Sequence, residues 1–289
     1  MTRIVHLSDL HFDRVDRRVV DALRDEINAD PPDLIAVSGD LTQRAYRHEY
    51  RSSGAFLRSL NAPVLAVPGN HDITYLNMLE RFLDPYRRWR RFVSRDIEPI
   101  WRDETVAVVG LNTARRFTLG FDWSKGRYGV GQLRKFRKRV QELPPNLFRI
   151  VVAHHPLHPP ETEPELAIVG RAERALACFQ KLRIGLVLSG HLHRDYVHTH
   201  SVEADDETRM VIVQASTATS TRLRGEPNAY HRLTIDPSGE VVIEVRAWDG
   251  ERWREAPARE QGARLRLPSV EAPSVAAEAE EPTPVRAEP

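Results

Sequence analysis

Five short apolar runs in this chain stop, one after another, at side chains able to ligate a metal. Ile4 to Leu7 leads into Ser8, Asp9, Leu10 and His11; Leu34 to Val37 leads into Ser38, Gly39 and Asp40. Pro63 to Val67 leads into Pro68, Gly69, Asn70, His71 and Asp72. Arg149 to Ala153 ends at His154, His155 and Pro156, and Ile184 to Leu188 ends at Ser189, Gly190, His191, Leu192 and His193. Short apolar runs bounded by glycine, proline or serine read as buried strands. In an open α/β sheet the carboxyl ends of the strands line one edge, so residues far apart in sequence converge there in one crevice.

The segments between these runs carry helical spacing. Val20, Leu23 and Ile27 share one face, as do Tyr46, Tyr50, Leu57 and Leu60. Asp84 and Pro85 start a helix that turns Tyr86, Trp89 and Val93 inward. Leu133, Phe136, Val140 and Leu143 mark another, and Leu176, Phe179 and Leu182 a further one, with the strand Val106 to Leu111 ahead of them. After residue 195 the helical pattern gives way to the strands Met210 to Val213, Tyr230 to Ile235 and Glu240 to Val245, with a hairpin turn at Asp236 to Gly239. The architecture expected is α/β, in the α+β sense: two packed sheets with helices outside, the first half of the chain largely parallel and the second largely antiparallel. A chain of 289 residues, 41% hydrophobic, can bury a large core. One domain is expected over residues 1–255. Residues 256–289, rich in Ala, Pro and Glu, lack the apolar surface to offset their ordering entropy and read as a disordered tail.

Asp9 and His11 lie two apart, as do His191 and His193, so each pair can point the same way from an extended segment. The donors are oxygen and imidazole with no thiolate, which suits manganese, iron or zinc and argues against copper(I) or an iron–sulfur cluster. Two divalent ions facing Asp9, Asp40 and one hydroxide leave a surplus near +1, the complement of a phosphodiester monoanion. A trivalent iron raises that surplus toward a monoester dianion. Each element alone is a weak signal, since Gly39-Asp40 is a common turn and a lone histidine is an ordinary polar residue. Their conjunction, above all Gly190, His191 and His193 after an apolar strand, is what specifies a metal site. His155 reads as a neighbour that packs or orients, and His6, inside the first strand, as a satisfied core histidine.

These blocks, in this order, resemble the calcineurin-like metallophosphoesterase superfamily, whose pattern runs D-x-H, G-D, G-N-H-D/E, H and G-H-x-H. The match extends over about residues 4 to 193 with no block missing. The resemblance implies a four-layer αββα sandwich of two mixed sheets. It implies that Asp9, His11, Asp40 and His193 hold one metal and that Asp40, Asn70, His154 and His191 hold the other, with Asp40 bridging. It makes His71 the proton donor to the leaving oxygen and Asp72 the residue that orients it. A water activated between the ions then attacks phosphorus in line. Ser8 to Phe12, Gly39 to Thr42 and Gly69 to Asp72 look most like bacterial class III cyclic nucleotide phosphodiesterases and related glycerophosphodiesterases. Bacterial lipid A precursor hydrolases usually carry Arg where His71 stands, protein Ser/Thr phosphatases continue Asp-x-x-Asp-Arg-Gly after the Gly-Asp block, and repair nucleases need an added DNA-binding cap.

The expected partner is therefore a small phosphate ester. A phosphomonoesterase is the nearest alternative, and a nucleic-acid-binding or scaffold protein that keeps the site for structure is the alternative of another class. A net charge of +1 gives no strong nucleic-acid signal. No run is long enough for a membrane span, the N-terminus does not read as a signal peptide, and a homodimer is compatible with the sequence. With one cysteine, Cys178, expected as a buried small hydrophobe, a reducing cytoplasm is the simplest compartment. His158, Arg115, Arg116, Phe121, Trp123 and Tyr128 are candidates for the rim of the crevice, the aromatics having core packing as their plain alternative. The basic run Arg87 to Arg91 reads as a solvated face around an inward Trp89.

Overall fold

The computed structural model describes residues 1–117, 122–160, 163–200, 210–256 and 264–266. Thirteen strands and six helices follow in chain order among them. They are β1 (Thr2–Leu7), α1 (Arg17–Ala29), β2 (Leu34–Val37), α2 (Arg47–Arg58), β3 (Val64–Ala66), α3 (Met78–Leu83) and α4 (Arg87–Phe92). Next come β4 (Ile100–Arg102), β5 (Val106–Leu111), α5 (Val130–Gln141), β6 (Phe148–Ala153), α6 (Ala172–Lys181) and β7 (Ile184–Ser189). The last are β8 (Tyr196–His200), β9 (Met210–Gln214), β10 (Ala229–Ile235), β11 (Glu240–Trp248), β12 (Trp253–Glu255) and β13 (Arg264–Arg266).

One sheet runs β12-β11-β10-β1-β2-β3, with β13 also paired to β11; the other runs β4-β5-β6-β7-β9-β8. Strands β1 to β3 are parallel, as are β5, β6, β7 and β9. The antiparallel pairings are β1 with β10, the β10-to-β13 set, and β4 and β8 at the edges of the second sheet. The expected division into a parallel first half and an antiparallel second half thus has one exception on each side: β4 reverses early and β9 runs parallel to β7.

The alternation of side chains along each strand explains the layering. On β2, Leu34 and Ala36 face the second sheet while Ile35 and Val37 face the helices; on β6, Ile150 and Val152 face the first sheet and Val151 and Ala153 face outward. Both faces of β2 and β5 are buried, so these strands are apolar throughout and not alternating. Helices α1, α2 and α4 cover the first sheet through Leu23, Ile27, Tyr50 and Trp89, and α5 and α6 cover the second through Phe136, Val140 and Phe179. The result is the four-layer αββα sandwich. Trp89 is fully buried, as the spacing of the Arg87 to Arg91 run predicts.

Helix α3 has no counterpart in the sequence reading, because its leucines face outward and its buried residues are Glu80 and Arg81. Cys178 is only half-buried, at the edge of the α5/α6 cluster. At the C-terminal boundary Ala256 is buried against Ala229 and Val245, and β13 adds a strand, so two pieces of the segment expected to lack structure are placed. The rest of that tail, 257–263 and 267–289, lies outside the described residues. Among the described residues no helix is long and apolar enough to cross a membrane.

Candidate metal centre

All seven expected ligands meet at the carboxyl ends of β1, β2, β3, β6 and β7. Asp9 and His11 follow β1, Asp40 follows β2, Asn70 opens the single helical turn after β3, His154 follows β6, and His191 and His193 follow β7. The chain must turn sharply at each strand end to aim these side chains into one space. Asp9, His11, Asp40, His191 and His193 all take left-handed backbone, with φ of 52°, 47°, 53°, 83° and 56°. Each such conformation costs a non-glycine residue about 1–2 kcal/mol and persists only where its surroundings over-determine it. Here the loops are laced together: Asp9 N–H donates to the Gly39 carbonyl at 3.1 Å and His11 N–H to the Asp40 carbonyl at 2.9 Å. Gly190 N–H donates to the His154 carbonyl at 2.9 Å, and Thr217 and Thr219 hydroxyls donate to the Asp9 and Leu10 carbonyls at 2.6 and 2.8 Å. Gly190 is required by closeness: a Cβ there would collide with the Ser8 hydroxyl and with Asp9.

The ligand atoms fall into two groups that share Asp40. In the first, His193 Nε2 is 3.2 Å and His11 Nε2 3.5 Å from Asp9 Oδ1, and the two imidazole nitrogens are 3.0 Å apart. In the second, His154 Nε2 is 3.1 Å from Asn70 Oδ1 and 3.2 Å from His191 Nδ1. Asp40 Oδ2 lies 3.8 Å from His11 Nε2 and 3.3 Å from His154 Nε2, between the groups. Two of the far imidazole nitrogens are already engaged. His154 Nδ1 donates to the Ser38 carbonyl at 2.7 Å and His193 Nδ1 to the Arg222 carbonyl at 3.0 Å, which turns each Nε2 inward, as the atom a metal could take once its proton is lost. Asp9 Oδ2 accepts from the Ser8 hydroxyl at 2.6 Å and from His191 N–H at 2.8 Å, but Asp9 Oδ1 is buried with no hydrogen-bond partner among the described residues. An anionic oxygen orphaned in the interior, facing inward-aimed imidazole nitrogens, is what a cation would satisfy.

Electrostatics point the same way. Burial opposes the charge of Asp9 and Asp40, yet the histidines around them hold both carboxyls below their ordinary range. Burial likewise opposes charge on His154, but Asp40 beside it outweighs that and holds the imidazolium up to about 9. Burial and the neighbouring His154 push His191 down to about 3. A proton on His154 thus offsets part of the carboxylate charge, and metal binding would displace it.

The family model for calcineurin-like phosphoesterases matches residues 2–195. The chain belongs to the calcineurin-like phosphoesterase family. Metal-dependent phosphoester hydrolysis is the chemistry of that family. A dimetal phosphatase from Danio rerio superposes with a TM-score of 0.64 at 12% identity, over 85% of this chain and 96% of its own. A purple acid phosphatase from yellow lupin (Lupinus luteus) seeds superposes with a TM-score of 0.63 at 14% identity, over 88% of this chain. This chain spans 52% of the lupin protein's length, and at these identities the likeness is one of fold. No curated protein sequence matches the chain.

Around the centre, this calcineurin-like phosphoesterase departs from the expected roles at one residue. Asp72 does not orient the His71 ring. Its carboxylate accepts from the backbone N–H groups of Leu41, Thr42 and Gly69 and from the Thr42 hydroxyl, at 2.9 to 3.2 Å, and so ties the Asp40 loop to the Asn70 loop. The His71 ring is held by the Gln43 carbonyl, which accepts from Nδ1 at 2.7 Å. His155 is no ligand either: Nδ1 pairs with the Thr113 hydroxyl and Nε2 with the Ser124 carbonyl, both at 2.8 Å. His6 is satisfied between Ser38 and His231.

A cavity of about 250 Å³ opens over the centre, walled by Ser124, Leu166, Ala167, Arg222 and Arg224 together with His71 and the ligands. Of the expected rim residues, Tyr128 is fully buried against Phe179 and His158 is stacked on His198, so both are packing residues. Trp123 borders Tyr75, whose ring centroid is 6.0 Å from that of His71. Arg115 and Arg116 offer their carbonyls to Arg81, and Phe121 lies outside the described residues. Arg222 escapes sequence reasoning. Its Nη1 is 3.5 Å from His71 Nε2 and 3.4 Å from Gln43 Oε1, yet no strand-end block announces it.

Proposed function

We propose that this chain hydrolyses a small phosphodiester, of the cyclic nucleotide or glycerophosphodiester kind, at a two-metal centre. The observation that carries the reading is the placement of Asp40 Oδ2 between two inward-facing donor groups, beside the orphaned Asp9 Oδ1. Asp9, His11, Asp40 and His193 would hold one ion, and Asp40, Asn70, His154 and His191 the other. Manganese, iron and zinc all suit this donor set. When bound, the pair would supply Lewis acidity toward the phosphate oxygens and make water nucleophilic near neutral pH.

The rest falls to the chain's own residues. His71 commits Nδ1–H to the Gln43 carbonyl, so Nε2 is the atom that faces the cavity. Only the doubly protonated ring can therefore hand a proton from Nε2 to a leaving alkoxide while keeping its anchor. Arg222, beside that nitrogen, is placed to draw a non-bridging phosphate oxygen toward His71. A cavity of about 250 Å³ suits a small ester better than a polymer.

A monoesterase is the second reading, favoured by Arg222 and Arg224 together at the cavity wall, whose charge suits a dianion. Comparison of kcat/KM for bis-aryl phosphate, aryl phosphate, cyclic nucleotides and glycerophosphodiesters, after reconstitution with each metal, decides between them. Diesters should win; a higher value for the aryl monoester with every metal overturns the diesterase assignment.

A further inference from the structure

Helix α3 is inside out. Its charged residues Glu80 and Arg81 are 8% and 0% exposed, while Leu79 and Leu83, with Leu76 just ahead of the helix, are 72%, 75% and 71% exposed. A helix at a water surface shows the reverse arrangement. Polar contacts enforce the orientation. Glu80 accepts from Arg87 and Arg88 at 3.2 and 3.0 Å. The Arg81 guanidinium donates to the carbonyls of Thr74, Arg115 and Arg116 and lies 4.2 Å from the Trp123 ring centroid. Rolling the helix to bury its leucines would strip two buried charges of their partners.

The outward leucines are not isolated. Phe117, 55% exposed, has its ring 6.4 Å from that of Phe82, itself 40% exposed. With Met78, these make six of the ten large hydrophobics that stay exposed among the described residues, so the apolar surface is gathered in one patch and not scattered. Its surroundings are cationic: Arg87, Arg90, Arg91 and Arg95 are exposed beside it, against the buried Glu80, which pairs with Arg87, and Asp84, which pairs with Arg90. A second copy docking through the same face would bring two arginine sets together across a twofold axis. An anionic lipid surface takes up both features, the leucines in its acyl boundary and the arginines among its headgroups.

We propose that α3 and its apolar neighbours dock this chain peripherally on an anionic lipid surface. The patch begins close to the catalytic cavity: Tyr75, next in the chain to Leu76, has its ring 6.0 Å from that of His71, which lines the cavity. Docking would therefore set the mouth of the centre close to the headgroups.

Co-sedimentation of the full chain with vesicles tests this. Vesicles of phosphatidylcholine and phosphatidylglycerol at about 3:1 should carry the protein down, pure phosphatidylcholine far less, and added salt should release it. Replacing Leu76, Leu79 and Leu83 together by Ser should cut partitioning by about a hundredfold or more, given the apolar area each leucine would bury. An Arg91→Gln, Arg95→Gln double variant, which leaves the leucines and the partners of Glu80 in place, should lose about tenfold. Unchanged turnover of a soluble aryl ester by the serine variant separates lost docking from lost fold. The proposal is overturned if the anionic vesicles do not bind the chain, or if the serine variant binds as well as the parent. It is equally overturned if the patch instead holds a dimer that the serine variant dissolves.

Discussion

The floor and the wall of the cavity are built on opposite terms. On the floor, Asp9, His11, Asp40 and His154 are at most 1% exposed, each grows from a strand end, and Asp9 Oδ2, Asp40 Oδ1 and His154 Nδ1 are held by backbone groups of neighbouring loops. On the wall, Ser124, Arg222 and Arg224 are exposed and come from connecting segments, and Leu166 and Ala167 complete it. The floor can hold ions in a strained, over-determined geometry because two sheets converge beneath it. The wall has no such support, so it can vary without disturbing the chemistry. The contrast predicts that floor substitutions abolish turnover through metal loss, while wall substitutions change substrate binding and leave metal in place.

Asp40→Ala is the severest test. It removes the oxygen shared by both donor groups, so elemental analysis should find both metals lost and kcat/KM should fall by at least about 10³-fold. A variant that keeps full metal content would dissolve the distinction between floor and wall at its centre. His71→Ala stands next: metal stays, and turnover of esters with poor leaving groups should drop by about 10²–10⁴-fold, with a much smaller loss for an activated aryl ester. Equal losses on the two substrates would remove His71 from the role of acid.

Arg222→Gln probes the wall itself. The backbone carbonyl that holds His193 is retained, so metal content should not change, while KM rises by about tenfold or more through the lost charged contact. Loss of metal in this variant would make Arg222 part of the floor. The smallest effect concerns protons in chelator-stripped protein. His154, held up to about 9, contributes stability that is present below its unfolded value near 6.5 and lost as pH rises through about 9. His191, pushed down to about 3, is neutral when folded, so the fold loses ground as pH falls below about 6.5 and the unfolded chain takes up that proton. The Tm of the stripped protein should therefore decline on both sides of about pH 6.5, and bound metal should flatten the profile on the alkaline side. An identical alkaline decline with and without metal would separate these histidines from metal binding.

Asp72 and His71 show where a linear motif misleads. Both stand in one helical turn after β3, and adjacency suggests that one orients the other. In the fold the carboxylate turns back onto the Asp40 loop, and a carbonyl from Gln43, remote in sequence from His71, takes over the orienting role. Helix α3 leaves no such signal, since a run of leucines reads the same whether they face the core or the outside. What decides between the two is the partners of Glu80 and Arg81, and those come from α4 and from the Arg115–Arg116 segment.

The amino-acid sequence by itself determined the seven candidate ligands, the strands that present them, and the two-sheet sandwich that makes them converge. These are local signals: an apolar run, a turn, a donor side chain, repeated in an order that topology brings to one edge. Tertiary structure alone decided which oxygen stands between the two donor groups, which residues orient His71, and that Arg222 reaches the site. It also decided that a helix shows its leucines to the outside. Each of these depends on contacts between segments far apart in the chain, where no short-range periodicity records which groups will meet.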